Sequence, residues 1–580
     1  MSELLGVAAA LRQLSDRQLQ TLIAERLINT SSLNDFFDLA EALTKPNNVA
    51  QAISGLPLRQ ARALAQIVQN HTADDDAAAS LHRLLLIDAE GKPFESTTEA
   101  FANFAKLEAL TLVAEQTTSP QQNDIDRDCG IEIFETLQAL TELIFDLEQR
   151  LVTEVGKKSV GLPAIKRLAS HLKKNNDYAK AIYELAFLAD LMSVSSGRWH
   201  LTTLAKHWLD WSQQQRFEHL AKTWCNILGA ASASELIASL GTTGQTVSLE
   251  KQLSLTYPFA DGAVASKIAK LATLASLIGI SANGWLSSWG RSVILGEVSV
   301  ASKVALTRLP EPQRKIICQA DLTLIAPGPL PTDIEILIRR FADTEQIGMA
   351  STYRLSALSI SHGLETGLTA QDIRGALEEL SGKSLPQPID YLINESAKRF
   401  KRLTIVEGDE TLRSILKSTD SILLAEINNE QKLKPFSLRA MPDGTLASRF
   451  EPELLYFGLR ELGFAAVRVD ASGNVISPIN ASSETELPQQ VSTVIRDIER
   501  IRLGDPSADD QSESQVFRQI QLAIKNKTRM RTTVKSNSGT EIEFTLEPIG
   551  LANGRLRAKD RKADIERTLP LTSILKVVLD

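Results

Sequence analysis

The chain has 580 residues, of which 43% are hydrophobic and 23% are charged. These proportions are typical of soluble globular proteins and exclude the disordered, collagen-like and coiled-coil classes, and the length allows about four domains of roughly 150 residues each. The net charge is −8, from 63 basic and 71 acidic residues, which argues against a protein coated along its whole length by nucleic acid.

The three cysteines, Cys129, Cys225 and Cys318, are too far apart for a disulfide framework or for paired metal ligands, and they suit a reducing compartment. The sequence begins Met1-Ser2-Glu3, without the basic and apolar segments of a signal peptide. No apolar run reaches the length of about 18 residues that a membrane span needs. We therefore expect a cytoplasmic protein with no membrane partner.

Helical periodicity dominates the first half of the chain. Apolar residues at spacings of three and four predict helices at 4–14, 17–27, 33–43, 58–70, 131–152, 163–174, 177–192, 209–228 and 262–278. Three short hairpin-like segments, with turns at Gly91, Gly197 and Gly284, interrupt these helices. Helices followed by a hairpin are typical of winged-helix modules, and we predict three such modules, at 1–116, 131–232 and 246–300. The alternative is a helical array with incidental hairpins.

The end of the chain has a different pattern. Polar segments rich in Ser, Pro, Asp and Glu predict linkers at 117–128, 477–490 and 504–514. A helix at 515–525 then precedes segments of alternating polarity, which predict strands at 530–534, 541–546, 555–559 and 565–569. We predict a small β-barrel-like domain at 514–580, in a protein that is otherwise mainly α with α+β parts.

Six short motifs between residues 309 and 389 carry a resemblance to a known family. They are Leu309-Pro310-Glu311-Pro312, Gln319-Ala320-Asp321-Leu322-Thr323, Ala326-Pro327-Gly328-Pro329-Leu330, Thr352-Tyr353-Arg354-Leu355-Ser356, Gly367-Leu368-Thr369 and Leu385-Pro386-Gln387-Pro388-Ile389. Over 309–476 the chain resembles the N-terminal α/β domain of XPB-type DNA helicases, in the form found in bacterial helicase-associated domain proteins. The resemblance implies contact with DNA and docking of a partner such as an XPB-type helicase, and this domain includes no motor.

The terminal domain, 514–580, is similar in layout to a WYL-type domain. Arg531-Thr532-Thr533 stands where that family has an aromatic residue in its first strand, so the likeness is to a degenerate member. The resemblance implies ligand sensing as an alternative function.

No catalytic motif is complete. Gly382-Lys383-Ser384 has the ending of the phosphate-binding motif GxxxxGK[ST], but Leu377 stands where the first glycine belongs, and we interpret Gly382 as a helix C-cap. DExH, GxSxG and HExxH are also absent from the sequence. We therefore expect no catalytic residues, no cofactor and no enzymatic activity.

Acidic and aromatic clusters leave two alternatives open. The acids of 124–135 have the spacing of a calcium loop, but Cys129 stands at its glycine position, and an acidic linker before a helix is the alternative. All six tryptophans lie within 199–289, where they either stack on bases or fill a core. The histidines near them do not have zinc-site spacing, so we predict no metal site.

Local charge points to nucleic acid. Residues 521–580 hold twelve basic and seven acidic residues. Cations alternate along two of the predicted strands, at Arg529, Arg531 and Lys535 and at Arg555, Arg557 and Lys559. If the two faces coincide, the six cations form a surface suited to phosphates, and a solvated sheet face is the alternative.

A second basic group lies on the helix that begins after Gly161, at Lys166, Arg167 and Lys173. In a winged helix this element approaches a DNA groove, and a solvent-facing helix surface is the alternative. We predict a non-catalytic DNA-associated accessory protein that acts with an XPB-type helicase or in DNA repair or transcription. The alternatives are a protein-interaction scaffold without DNA contact and a WYL-type ligand-responsive transcriptional regulator.

Overall fold

The computed structural model describes residues 3–104, 120–156, 158–240, 247–476, 489–504, 513–526, 528–535, 541–552 and 554–579. The chain divides into two compact units. The first unit comprises Met1–Val113, Tyr257–Ser266 and Pro488–Asp580, and the second comprises Ala114–Thr256 and Lys267–Leu487.

Residues 3–104 form seven helices. They are α1 Glu3–Gln13, α2 Asp16–Glu25, α3 Phe36–Thr44, α4 Pro46–Ser54, α5 Leu58–Val68, α6 Asp75–Arg83 and α7 Glu95–Ala102. Ser15 caps α2 in a capping box with Gln18, and Pro46 occupies the first turn of α4, where its missing N–H costs nothing. A single β-bridge between Ile87 and Pro93 lies at the first predicted hairpin.

The described residues from 120 to 308 are mainly helical. The elements are α8 Gln122–Gln149, β1 Val152–Val155, β2 Ser159–Val160, α9 Leu162–Leu172, α10 Asn176–Leu188, β3 Met192–Ser195, β4 Arg198–Leu201, α11 Thr203–Asp210, α12 Gln213–Leu228, α13 Ala230–Ser239, α14 Leu249–Thr256, α15 Gly262–Leu277, β5 Ser281–Ala282, β6 Trp285–Leu286, α16 Gly290–Ile294 and α17 Val298–Ala305, with a 3₁₀ turn at Leu306–Arg308. The first four strands pair in the order β2-β1-β4-β3, and β5 pairs with β6.

Helix α8 corrects one predicted boundary. The helix begins at Gln122, so most of the linker predicted at 117–128 is helical, and residues 117–119 lie outside the described residues. Pro120 stands just before the helix, where proline is compatible with helix initiation, and Asp124 lies in the first turn, where the helix dipole favours a carboxylate. The calcium-loop spacing of 124–135 therefore falls inside a continuous helix.

The tryptophans of this region are mostly core. Trp199, Trp208, Trp224 and Trp289 are buried, and their indole N–H groups donate hydrogen bonds within the second unit. The core alternative is thus confirmed for these four residues.

Residues 316–476 alternate between strands and helices. The elements are β7 Ile317–Cys318, β8 Thr323–Ala326, α18 Thr332–Phe341, β9 Asp343–Gln346, β10 Ser351–Arg354, α19 Ala357–Glu365, α20 Ala370–Ser381, α21 Gln387–Arg399, β11 Leu403–Glu407, β12 Ser414–Ser418, α22 Ser421–Asn429, β13 Arg439–Ala440, β14 Leu446–Ser448, α23 Pro452–Glu461 and β15 Ala466–Arg468, with a 3₁₀ turn at Gln431–Phe436. The strands form two sheets, in the orders β7-β8-β10-β9 and β13-β14-β12-β11-β15. Each sheet has its own hydrophobic core, around Phe341 and Tyr353 in the first and around Leu416 and Leu459 in the second.

The described residues after 488 form two helices and a sheet. They are α24 Gln489–Leu503, α25 Glu513–Asn526, β16 Met530–Lys535, β17 Glu541–Ala552, β18 Arg555–Asp560, β19 Ile565–Pro570 and β20 Ile574–Leu579, with a 3₁₀ turn at Leu571–Ser573. The pairing order is β19-β18-β17-β16-β20, so in the described residues β19 and β20 are the two edges of a sheet. The four predicted strands are present, while the pairing does not close into the barrel-like form that we expected.

Helix α24 completes the core of the N-terminal helices within the first unit. Ile498 and Ile501 are buried in the cluster that contains residues of α1, α2 and α3. Asp497 accepts a hydrogen bond of 2.6 Å from Thr30, and Arg502 forms an ion pair of 2.6 Å with Asp16. The first unit is therefore built from segments that are far apart in the sequence.

The predicted fold class, mainly α with additional α/β parts, is confirmed at that level. The assignment of winged-helix modules and the five domain boundaries stay predictions. Within the described ranges, no helix combines the length and the hydropathy needed to cross a bilayer.

Candidate nucleic-acid interface

The terminal sheet has one buried and one exposed face, because successive side chains along each strand point to opposite sides of the sheet. On the buried face, Met530, Val534 and Leu556 pack with Val516 and Ile520 of α25. The outward-pointing side chains of β16–β20 form the opposite surface, which we call the C-terminal outer face.

The strand register decides which cations share this face. Arg531 of β16 lies opposite Thr545 of β17, and Glu547 of β17 lies opposite Lys559 of β18. Residues that lie opposite each other, and residues two positions apart in one strand, point to the same side of a sheet, so these four side chains share a face. The sheet therefore brings together on the C-terminal outer face all six cations that were predicted for it, Arg529, Arg531, Lys535, Arg555, Arg557 and Lys559. Their role in binding nucleic acid stays a prediction.

Carboxylates compensate part of this charge. Glu547 accepts from Arg529 at 2.9 Å and from Arg561 at 2.8 Å, and the hydrogen bonds from Arg561 and Arg529 hold the pKa of Glu547 below its usual range. Arg557 pairs with Glu566 at 2.6 Å. Lys559 pairs with Asp564 at 2.9 Å. Among the described residues, Lys535 and Arg555 lie within 4 Å of no carboxylate oxygen, so the uncompensated charge lies toward opposite ends of the face.

The three cations predicted on α9 do not form a common surface. Arg167 is half-buried and donates two hydrogen bonds to Asp146 of α8, from Nε at 2.7 Å and from Nη2 at 2.6 Å. Lys173 caps the C-terminus of α9 in the left-handed region, with φ 49°, and its Nζ donates to Gln346. Only Lys166 of the three is exposed without such a bond in the described structure. Arg167 thus holds α9 against α8.

One basic segment was missed by the sequence analysis. Lys398-Arg399-Phe400-Lys401-Arg402 places four exposed cations at the junction of α21 and β11. The signal was visible in the sequence as four cations within five positions around one aromatic residue.

A buried ionic network lies in the second unit. Arg339 of α18 has a side chain that is 1% exposed, and it binds Glu142 of α8 at 2.6 Å and Glu335 at 2.5 Å. His171 Nδ1 lies 2.7 Å from the other oxygen of Glu142. Burial alone lowers the pKa of Arg339, but the charges of Glu335 and Glu142 outweigh it, and the pKa is raised. Burial likewise raises the pKa of Glu142, but the hydrogen bond from His171 and the charge of Arg339 outweigh it and lower the pKa.

Burial shifts the pKa of two further side chains in this unit. Glu148 lines a cavity of about 50 Å³, its Oε2 has no hydrogen-bond partner among the described residues, and burial raises its pKa to about 8. His362 is 2% exposed, neither ring nitrogen has a partner in the described structure, and burial lowers its pKa to about 3. Both groups are therefore neutral when buried near neutral pH.

The remaining motifs have structural explanations. Gly382 ends α20 in the left-handed conformation, with φ +64°, which confirms the predicted helix C-cap. Within the described ranges, no group of three or more His, Cys, Asp or Glu side chains is placed to hold a metal ion.

Comparison with known proteins identifies one part of the chain. Residues 316–442 match the family described as "Helicase conserved C-terminal domain". The chain contains a helicase-related domain. It is also similar to a protein named "DNA 3'-5' helicase XPB" from Kineococcus radiotolerans, with 30% identity over 155 residues. That similarity covers 26% of this chain and 28% of the relative, so the chain spans less than a third of the relative's length.

These findings confirm the predicted relationship to helicases and correct one other expectation. The matched family is described as a C-terminal helicase domain, and the assignment of 309–476 to the N-terminal domain of XPB-type helicases stays a prediction. Helicases are enzymes, so the expectation that this chain has no enzymatic role is wrong.

Proposed function

We propose that this helicase-related protein binds DNA through the phosphate backbone, using the C-terminal outer face. The observation that supports the proposal is the strand register, which lines up six cations on one exposed face. Lys576 of β20 lies opposite Thr533 and adds a seventh cation to this face. Against these stand four carboxylates in the described strands, Glu541, Glu543, Glu547 and Glu566. The balance is positive, in contrast to the net charge of the chain.

The geometry favours backbone contact over reading of bases. A sheet face with side chains spread over several strands presents a broad surface, whereas base readout needs an element that enters a groove. Cations that neutralise phosphates release counterions, so binding weakens steeply as salt rises. We propose binding with little sequence preference and a strong salt dependence.

A second contribution to DNA association is a winged helix within residues 120–228. Its order of α8, β1, α9, α10 and a β3–β4 hairpin supports this assignment, as does the pairing of β1 with the part of β4 next to the hairpin turn. We propose this module as a positioning element. Its predicted cations support a direct DNA contact less well, because Arg167 is engaged with Asp146.

The decisive experiment compares two matched variants. The test variant is Lys535→Gln/Arg555→Gln, which removes two cations without breaking an ion pair in the described structure. The control is Lys45→Gln/Lys92→Gln, at side chains of the same unit that are 64% and 75% exposed; it breaks only two surface ion pairs, with Glu41 and Glu90, and such pairs contribute little to stability. Fluorescence anisotropy with labelled duplex and single-stranded DNA, at about 50 and about 200 mM salt, measures the affinity and its salt dependence.

We expect the test variant to bind several-fold more weakly than wild type, with a flatter salt dependence, while the control is unchanged. Equal binding by the test variant and the control would refute contact through the C-terminal outer face. If wild type does not bind DNA even at the lower salt concentration, the proposal fails as a whole. Retained DNA binding by the test variant, together with loss of a captured helicase partner, would show that this face docks a protein partner and does not contact DNA.

A further inference from the structure

The missed basic segment has a defined local structure. Helix α21 ends at Arg399, Phe400 follows it half-buried, and Lys401 adopts the left-handed conformation with φ +63°. This turn sends the chain into β11, which begins at Leu403. The turn is held by helix α21 on one side and by strand β11 on the other, so the backbone positions of its cations are fixed.

Compensating charge around the segment is sparse. Glu395 is shared by Lys398 at 3.1 Å and Arg399 at 3.7 Å. Lys401 Nζ donates to the Gly473 carbonyl at 3.2 Å, which leaves its charge without a carboxylate in the described structure. Arg402 is exposed and has no carboxylate within 4 Å among the described residues.

The neighbouring strand extends the same surface. Lys417 of β12 lies opposite Thr404, two residues beyond Arg402, and it is exposed. Side chains in such diagonal positions are within reach of one another. Five cations therefore lie near two carboxylates: Glu395, beside Lys398 and Arg399, and Asp443, which interacts electrostatically with Lys417.

Helix electrostatics explains only part of this arrangement. Cations in the last turn of a helix are favoured by its dipole, which accounts for Lys398 and Arg399. Lys401 and Arg402 lie beyond the helix, and Lys417 belongs to another element. A cluster drawn from three elements, with little opposite charge, is better suited to an external anion.

We propose that Lys398, Arg399, Lys401, Arg402 and Lys417 form a second phosphate-binding surface for nucleic acid, located in the helicase-related domain itself. The inference rests on the proposed DNA association and extends it to the second unit. Arginine offers a fork of donors that matches phosphate oxygens, and lysine adds point charge. A membrane surface fits less well, because interfacial binding needs exposed apolar side chains and Phe400 is half-buried.

Two double variants test the surface, each against a matched control. The first is Lys401→Gln/Arg402→Gln and the second is Lys398→Gln/Arg399→Gln. The control is Lys303→Gln/Lys383→Gln, at exposed lysines elsewhere in the second unit. Each full-length protein is titrated into a labelled duplex of about 20 base pairs over a series of salt concentrations, and circular dichroism verifies folding.

For two lost phosphate contacts, the slope of log K against log salt falls in magnitude by about 1.8, and affinity at about 100 mM salt falls by roughly 10-fold or more. The control retains wild-type affinity and slope. If both double variants bind like the control, the inference is overturned while the proposed function stands. If wild type binds no DNA, both are overturned.

The comparison with the sheet variant separates the two surfaces. Loss of binding in Lys401→Gln/Arg402→Gln with full binding in Lys535→Gln/Arg555→Gln supports this surface and refutes the C-terminal outer face. Binding of the full chain to phosphatidylserine vesicles but not to DNA, lost in the same variant, would overturn the assignment to nucleic acid.

Discussion

Replacing Arg339 by methionine tests the buried ionic network directly. The variant leaves Glu142 and Glu335 buried without their shared cation, while methionine fills most of the arginine volume. At a charge separation of about 4 Å and an effective dielectric of about 20, each pair contributes about 4 kcal/mol of attraction, or about 8 kcal/mol for the two. Burying the guanidinium costs several kcal/mol, so the net loss of stability is about 3–5 kcal/mol.

The loss depends on pH in a defined direction. In wild type, the pKa of Glu142 is lower in the folded than in the unfolded protein. Ionised Glu142 therefore stabilises the fold above its unfolded pKa, and this stabilisation is lost as pH falls through its folded pKa. Without Arg339, burial dominates and the pKa of Glu142 rises, so the folded variant takes up a proton more readily. The difference in unfolding free energy is therefore smaller at about pH 4 than at about pH 7.

Urea unfolding followed by tryptophan fluorescence measures this effect. All six tryptophans belong to the second unit, so the signal reports the unit that contains Arg339. Arg413→Met is the control, because Arg413 pairs with Glu451 at the surface, where each side chain is 53% exposed, and such pairs contribute about 0–1 kcal/mol. An Arg339→Met midpoint equal to that of wild type, or a difference that is the same at both pH values, would refute the reasoning.

Three further predictions concern the same unit. Gly130→Ala should destabilise the unit by about 1–3 kcal/mol, because the new Cβ would lie 2.4 Å from the Arg308 carbonyl oxygen. Gly375→Ala, in open space on α20, should stabilise it by about 0.5–1 kcal/mol. Relative to wild type, the urea midpoints of the two variants should therefore shift in opposite directions. His362→Met should reduce the loss of stability below about pH 6.5, because the lowered pKa of His362 lets the unfolded state bind a proton that the folded state does not; an unchanged pH profile contradicts this. Glu148→Gln should stabilise the protein at about pH 8, because the raised pKa of Glu148 makes wild type less stable as pH rises from about 4.5; midpoints measured across that range decide.

The sequence patterns predicted local structure well and pairing poorly. Alternation identified the strands β16–β19, because each strand has one buried and one exposed face. It missed β20, whose segment Ile574–Leu579 does not alternate cleanly. The sharing of Glu547 by Arg529 and Arg561 depends on strand register, and a bulge between Pro548 and Gly550 shifts that register. Turn lengths and bulges of this kind are not encoded in polarity alone.

Long-range charge pairs were beyond the sequence patterns. Arg339 and Glu142 are 197 positions apart, and neither has a local feature that marks it as buried. Arg167 was predicted as a DNA contact because it is basic and lies on a helix, but it forms an ion pair with Asp146 across the α8–α9 interface. Periodicity predicts which face of a helix is buried, but it does not show which other element packs against that face.

The discontinuous core of the first unit has a consequence during synthesis. Ile498 and Ile501 complete the apolar cluster of α1–α3, yet they are translated nearly 400 residues after Val113. At about 5–20 residues per second, a ribosome needs roughly 20–80 s to cover that distance. Throughout this interval the N-terminal helices lack Ile498 and Ile501, so the apolar side chains that these two residues cover are left exposed until α24 emerges.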